Sequence, residues 1–164
     1  MRIIVKKNKL SFLGATYECA IGKNGTTQNK IEGDGKTPIG CFSFKKIFYR
    51  EDKTPPMKFR LNSEAIMSNS GWCDDPESKN YNQFVKLPVN ESAEKLFRSD
   101  DLYDLIFVLD YNINPIVKNK GSAIFLHIAK NDFSATEGCI ALKKNDLIGI
   151  AEKINDQTQI LIVN

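Results

Sequence analysis

Gly121-Ser122-Ala123-Ile124-Phe125-Leu126-His127 and, after a polar stretch, Thr136-Glu137-Gly138-Cys139-Ile140-Ala141-Leu142 are the two segments on which the reading of this chain turns. The apolar run from Ala123 to Ala129 suits a strand buried on both faces, although its period alone leaves a buried helix open. It carries the only histidine of the chain. A loop follows, and a Gly-Cys step opens the next apolar run. Thiol acyl transfer needs this combination. A thiol of ordinary pKa about 8.5 is a poor nucleophile near neutrality, and an imidazole beside it can take the proton and stabilise the anion as its cation. Gly138 would let a carbonyl substrate approach without a Cβ in the way, and backbone N–H groups of the turn can point at a developing oxyanion. Residue types alone leave a plainer alternative standing, with His127 satisfied by a carbonyl in a core and Cys139 buried and inert.

Working outward, Arg2 to Val5, Lys9 to Phe12 and Thr16 to Ile21 are short β-branched or aromatic runs separated by polar or Gly punctuation, as strands are. The Lys6, Lys7, Lys9 cluster reads as the solvated face of a first hairpin. From Gly22 to Gly40 runs a polar, glycine-rich loop that can carry binding contacts as well as turns. Cys41 to Phe44 is again strand-like. Thr54 to Pro88 has the composition of long loops draped over a scaffold. Glu91 to Arg98 predicts a short amphipathic helix capped by Asn90 or Ser92, with Ala93, Leu96 and Phe97 on one side. Leu102 to Leu109 is apolar and β-prone. Asn145 to Ile154 places Leu147, Ile150, Ala151 and Ile154 at helical spacing, and Thr158 to Val163 closes the chain as a strand. With no repeats and no linker, the expectation is one domain over residues 1–164, mainly β, a sandwich or barrel with two short helices and long loops on one side.

The 23 basic and 20 acidic residues are mixed along the chain for a net charge of +3, with no block of like charge. That argues against a nucleic-acid partner, which requires a basic stripe. The opening Met1-Arg2-Ile3-Ile4-Val5-Lys6-Lys7 leads into no apolar run of roughly seven to fifteen residues. The expectation is therefore a cytoplasmic protein without membrane contact, or a periplasmic one where a leader has been removed. Cys19, Cys41, Cys73 and Cys139 are widely spaced and form no C-x-x-C pair, so neither a zinc site nor another metal or cofactor is expected. Cys41 and Cys73 read as packing residues, with no second histidine to serve them.

The run Gly33-Asp34-Gly35-Lys36-Thr37-Pro38-Ile39-Gly40 resembles the G-x-G-x-T-P-x-G loop of L,D-transpeptidase (YkuD-type) catalytic domains. His127 with Thr136-x-Gly138-Cys139 resembles their histidine and S/T-x-G-C nucleophile motif. The resemblance extends over nearly the whole chain and implies a β-sandwich or barrel. It also implies a cysteine that attacks the carbonyl of an L-to-D bond in a peptidoglycan stem tetrapeptide, forming an acyl-enzyme. An amine acceptor then gives a crosslink or an exchanged D-amino acid, and water gives L,D-carboxypeptidase activity. Two positions depart from the common S-H-G-C-x-R pattern: Glu137 stands where a second histidine is usual, and Ala141 where an arginine often follows.

Gly71-Trp72-Cys73-Asp74-Asp75-Pro76, Tyr81-Asn82, and Arg98 with Asp101-Leu102-Tyr103-Asp104 are similar to a short, leaderless subgroup that includes cytoplasmic L,D-carboxypeptidases of wall recycling. The resemblance makes Thr136, Glu137, Trp72, Asp74, Asp75, Tyr81, Asn82, Arg98 and Tyr103 candidate substrate-binding residues, beside Cys139, His127 and Gly138 as candidate catalytic ones. Physically, Trp72 and Tyr81 are flat surfaces suited to covering a peptide or sugar, or else parts of a loop pinned by Asx-turns. Asp74 and Asp75 could hold the ammonium of a diaminopimelate or lysine side chain. Arg98 either binds a substrate carboxylate or pairs with Asp101. Three functions compete: hydrolytic or transferase chemistry on muropeptides, a catalytically silent peptidoglycan-binding module, and a redox-sensing thiol protein. Retention of Gly138-Cys139 with the sole histidine favours the first, and no resolving cysteine close in sequence supports the last. The oligomeric state stays open.

Overall fold

Strict alternation sets the direction of the first strands in the computed structural model, which describes residues 1–164. β1 (Arg2–Lys6), β2 (Lys9–Phe12) and β3 (Ala15–Ala20) form an antiparallel meander, with Ile3, Val5, Leu10 and Phe12 turned inward. β4 (Thr26–Thr27) and β5 (Thr37–Pro38) tie the glycine-rich loop by a short parallel pairing. β6 (Gly40–Tyr49) is the longest strand, and β7 (Ser63–Ala65) lies parallel on its second half. β8 (Ser70–Cys73), β9 (Phe84–Lys86) and β10 (Ala93–Lys95) form a separate sheet in the order β10-β8-β9. β11 (Leu105–Leu109), β12 (Phe125–Ile128), β13 (Ile140–Leu142), the helix α1 (Lys144–Ala151) and β14 (Gln159–Val163) complete the chain.

The main sheet runs β11-β12-β13-β3-β2-β1-β14-β6-β7, and a further pairing of β6 with β11 closes it into a barrel. β6 makes the closure possible by its length: Gly40–Ser43 pair with β14, while Phe44–Tyr49 pair with β11. Closure removes the open edges that a flat sheet would expose. The inward residues of all eight barrel strands, from Ile3 to Ile162, build one apolar core, and α1 adds Leu147, Ile150 and Ala151 to it. No helix is long and apolar enough to cross a membrane.

A second apolar cluster lies outside the barrel wall. Phe48, Ile106, Val108 and Phe125 point outward and are covered by Trp72, Leu96 and Tyr103. β11 and β12 are consequently buried on both faces, as their uninterrupted apolar runs imply. The space between the barrel wall and the β8-to-β10 sheet is where the site forms.

The architecture corrects three expectations. There is one short helix, not two, because Glu91 to Arg98 contains β10, where Ala93, Glu94 and Lys95 pair with Cys73, Trp72 and Gly71. A helix of eight residues is marginal on its own, and sheet pairing with burial of Leu96 prevails. Thr54 to Pro88 is not loop throughout, since it holds β7, β8 and β9. Cys73 is buried as a packing residue, but Cys41 is exposed on β6.

Candidate active site

β12 and β13 run parallel, with Leu126 beside Ile140, His127 beside Ala141, and Ile128 beside Leu142. Successive side chains of a strand face opposite ways, so Leu126, Ile128, Ile140 and Leu142 enter the barrel core while His127 and Ala141 face outward. One residue back along the register, Cys139 flanks Phe125 on the outward face, diagonal to His127, and its sulfur accepts the Phe125 N–H at 3.4 Å. Diagonal neighbours of this kind are within side-chain reach. Ala141 is the smallest side chain that could stand beside the imidazole, and it is fully buried.

The turn carrying the thiol is held by the glycine-rich loop. Thr136 Oγ1 donates to the Cys139 carbonyl at 2.7 Å and accepts the Gly138 N–H at 3.1 Å. Thr37 of the loop bonds the Gly22 N–H at 2.8 Å, and its hydroxyl lies 3.5 Å from the Cys139 carbonyl. Gly138 has φ +144°, and a Cβ there would lie 2.9 Å from the Lys36 carbonyl oxygen. The two separated sequence motifs therefore meet in space, and glycine is required at their contact. Of the backbone N–H groups of this turn, read from sequence as possible oxyanion donors, that of Gly138 is turned to Thr136.

At rest neither Cys139 nor His127 is charged. The thiol donates to the Ala123 carbonyl at 3.1 Å and makes no hydrogen bond with the imidazole. Burial pushes it up to about 12, with the charge of Glu94 acting the same way and the Phe125 N–H and Lys30 opposing. Burial likewise lowers His127 to about 4, against the carbonyls of Ile128 and Leu102. His127 Nδ1 lies 2.8 Å from the Ile128 carbonyl. A carbonyl only accepts, so Nδ1 carries the proton and Nε2 holds the basic lone pair. The Tyr103 ring packs edge-on against the imidazole at 5.2 Å between centroids and fixes its plane.

Both side chains line one cavity of about 490 Å³. Of the residues singled out from sequence, Thr136, Glu137, Gly138, Asp74, Arg98 and Tyr103 line it with them. Glu137 is exposed and paired with Lys23 at 2.8 Å. Arg98 reaches the cavity, but its structural partner is Asp100, held through two bonds of 2.8 and 2.6 Å, and not Asp101. Asp74 Oδ1 is buried without a hydrogen-bond partner.

Trp72, Tyr81, Asn82 and Asp75 stand outside the cavity lining, which corrects the substrate-covering reading of the two aromatics. Trp72 is packed edge-on against Phe125, centroids 5.2 Å apart, and donates Nε1–H to Asn82 Oδ1 at 3.0 Å. Asn82, buried at φ +55°, also accepts the Ala123 N–H at 3.0 Å and donates Nδ2 to the carbonyls of Tyr111 and Asn112. It thereby fixes the very residue whose carbonyl receives the Cys139 thiol. Tyr81 is buried, accepts the Gly121 N–H and donates to Glu32. Asp75 Oδ1 caps a turn through the Glu77 N–H.

Sequence reasoning missed Lys30, Glu32, Glu94 and Lys130, all of which line the cavity. Glu94 accepts the Tyr103 hydroxyl, and burial raises its carboxyl above the ordinary range despite that bond. Reading residues 93–96 as an alternating strand would have found it; nothing in the local pattern singles out Lys30.

Residues 1–162 match the YkuD family, the L,D-transpeptidase catalytic domain, and this chain belongs to that family. It is thus a member of a peptidoglycan-enzyme family. No curated protein matches the sequence. Among solved structures, Bd1075 of Bdellovibrio bacteriovorus aligns over 98% of this chain and 46% of its own, at 19% identity and a TM-score of 0.49. The helical cell shape determining protein Pgp2 of Campylobacter jejuni aligns over 98% and 46%, at 15% identity and a TM-score of 0.47. The chain spans less than half the length of either.

Proposed function

We propose that this domain is a cysteine acyl-transfer enzyme that cleaves the L-to-D bond of peptidoglycan stem tetrapeptides, with water as the usual acceptor. The observation that carries the reading is the diagonal pair Cys139 and His127 facing a single cavity whose wall bears both signs of charge. The Cys139 thiol leaves the Ala123 carbonyl by rotation about its side chain and gives its proton to His127 Nε2. The sulfur lone pair forms the S–C bond, and the carbonyl electrons move to oxygen. Collapse of that oxyanion breaks the C–N bond, and His127 returns the proton to the departing D-alanine amine. Water then repeats the sequence on the thioester, its proton passing through His127 to the sulfur.

On the same reading, the unpartnered Asp74 oxygen takes the ammonium of the third stem residue and Arg98 a carboxylate. Thr136 and Glu137 border the peptide as it enters, and Tyr103 holds His127. Hydrolysis is favoured because one cavity of this size suits one bound donor, and an acceptor amine that is not positioned competes poorly with water. The resemblance of the Trp72 to Asn82 and Arg98 to Asp104 segments to cytoplasmic carboxypeptidases supports soluble muropeptides as substrate and the cytoplasm as location. Incubation with a purified disaccharide tetrapeptide, read by mass, tests this. Loss of the terminal D-alanine is expected; dimers, or exchange when D-amino acid is in excess, would establish a transpeptidase instead.

A further inference from the structure

Lys30 is buried, with 4% of its surface exposed, between the exposed Asn29 and Ile31. Its methylene chain threads between two glycines beside the nucleophile. A Cβ at Gly121 would lie 2.8 Å from Lys30 Cγ, and one at Gly138 3.6 Å from Lys30 Cε. Its ammonium donates to the Ile31 carbonyl at 3.1 Å and pairs with Asp34. Asp34 in turn accepts the N–H groups of Ile31 and Lys36, both at 2.9 Å. Lys30 lines the cavity that Cys139 faces, and Asp34 does not, so the ion pair presents its cationic member to the site. A buried lysine carries a desolvation cost, which the pairing offsets, and a charge in such surroundings is weakly screened.

We propose that Lys30 is a positioning residue of the acyl-transfer site, a fixed buried cation that favours negative charge at Cys139 and on the oxyanion formed there. The rest of the wall carries Glu32, Asp74, Glu94 and Glu137 against Arg98 and Lys130, beside the neutral Tyr103 and His127, so that carboxylates outnumber the cations that remain without Lys30. The charge of Lys30 already opposes the effect of burial on the Cys139 thiol. The inference rests on Cys139 being the reacting thiol, and not on the acceptor or the substrate.

The test is the rate of Cys139 alkylation by iodoacetamide at about pH 8, where it follows the small thiolate fraction, with the site of modification located by mass so that exposed Cys41 does not confuse it. Lys30→Met keeps the apolar thread between the glycines and removes the charge, and alkylation should slow by about tenfold. Lys30→Arg keeps the charge and should restore the parent rate. Slowing in the first variant with restoration in the second supports the inference. A parent rate in Lys30→Met, or equal slowing in both variants, would mean that Lys30 only braces the loop. If Lys30→Met does not fold, Asp34→Asn decides: it removes the partner that offsets burial of the ammonium, so Lys30 gives up its proton and alkylation should slow, whereas a parent rate overturns the inference. Because alkylation needs no substrate, failure here leaves the proposed hydrolysis untouched, and absence of turnover leaves this measurement valid.

Discussion

Cys139 and His127 stand on adjacent parallel strands, diagonal across the register, with Ala141 directly beside the imidazole and Phe125 directly beside the thiol. That offset places two neutral groups on one wall without a bond between them at rest. Cys139→Ala and Cys139→Ser should each abolish turnover of a tetrapeptide while leaving the fold intact, because a serine hydroxyl is not ionised by one imidazole as a thiol is. Exposure to a carbapenem, a strained acyl donor, should add mass at Cys139 in the parent and nowhere in the Ala variant. Turnover persisting in Cys139→Ala would remove the cysteine mechanism.

His127 gives stability a pH dependence. Buried and lowered to about 4, it binds no proton in the folded state at a pH where the unfolded chain, titrating near 6.5, already does. The contribution is complete above about 6.5 and is lost as pH falls through the folded value. Two and a half pH units at about 1.4 kcal/mol each amount to about 3 kcal/mol. Urea unfolding from pH 7 to pH 4 should record that slope, and His127→Gln should flatten it. An equal slope in the variant would assign the effect to carboxylates.

Asn82 should behave as a structural residue with a catalytic consequence. It satisfies Trp72 Nε1–H, the Ala123 N–H and two carbonyls, all in a buried setting. Asn82→Ala leaves those groups unpaired and should cost about 2–4 kcal/mol, at one to three per uncompensated group with some relaxation. Since Ala123 anchors the thiol, kcat should fall more than KM rises. A variant of parent stability would show that water replaces the amide.

The closed sheet was largely legible from sequence because its strands alternate or are apolar throughout: Arg2 to Val5, Lys9 to Phe12, Leu102 to Leu109 and Ala123 to Ala129 all lie on or within a residue or three of real strands. Glu91 to Arg98 failed because three residues of strand and a helical turn share the same sparse apolar spacing, and only pairing with β8 separates them. The catalytic candidates were legible through the Gly-Cys step and the lone histidine. For Trp72 and Tyr81 the structure bears out the loop-pinned alternative over the substrate-covering one, and the sequence could not choose between them because an aromatic in a polar loop carries no mark of what lies beneath it, for Trp72 the second core. Lys30 was invisible for a related reason: its burial depends on glycines 91 and 108 residues further on, and no local pattern reports a contact so distant.

Gly138→Ala separates packing of the nucleophile turn from chemistry at the thiol. The added Cβ would lie 2.9 Å from the Lys36 carbonyl oxygen, at a φ of +144° that L residues rarely adopt. Strain of that kind costs about 1–3 kcal/mol, and the obstacle is backbone, which cannot swing aside as a side chain can. The turn therefore shifts away from the glycine-rich loop, weakening the bonds from Thr136 and Thr37 to the Cys139 carbonyl. Displacement of about 1 Å at a nucleophile is enough to lower acyl transfer by about a hundredfold. The expected outcome is a folded protein whose Cys139 is still alkylated by iodoacetamide, but whose acylation by a carbapenem is slowed by about that factor. Acylation at the parent rate would show that the turn tolerates the displacement and that contact between the two loops is not needed to hold the thiol.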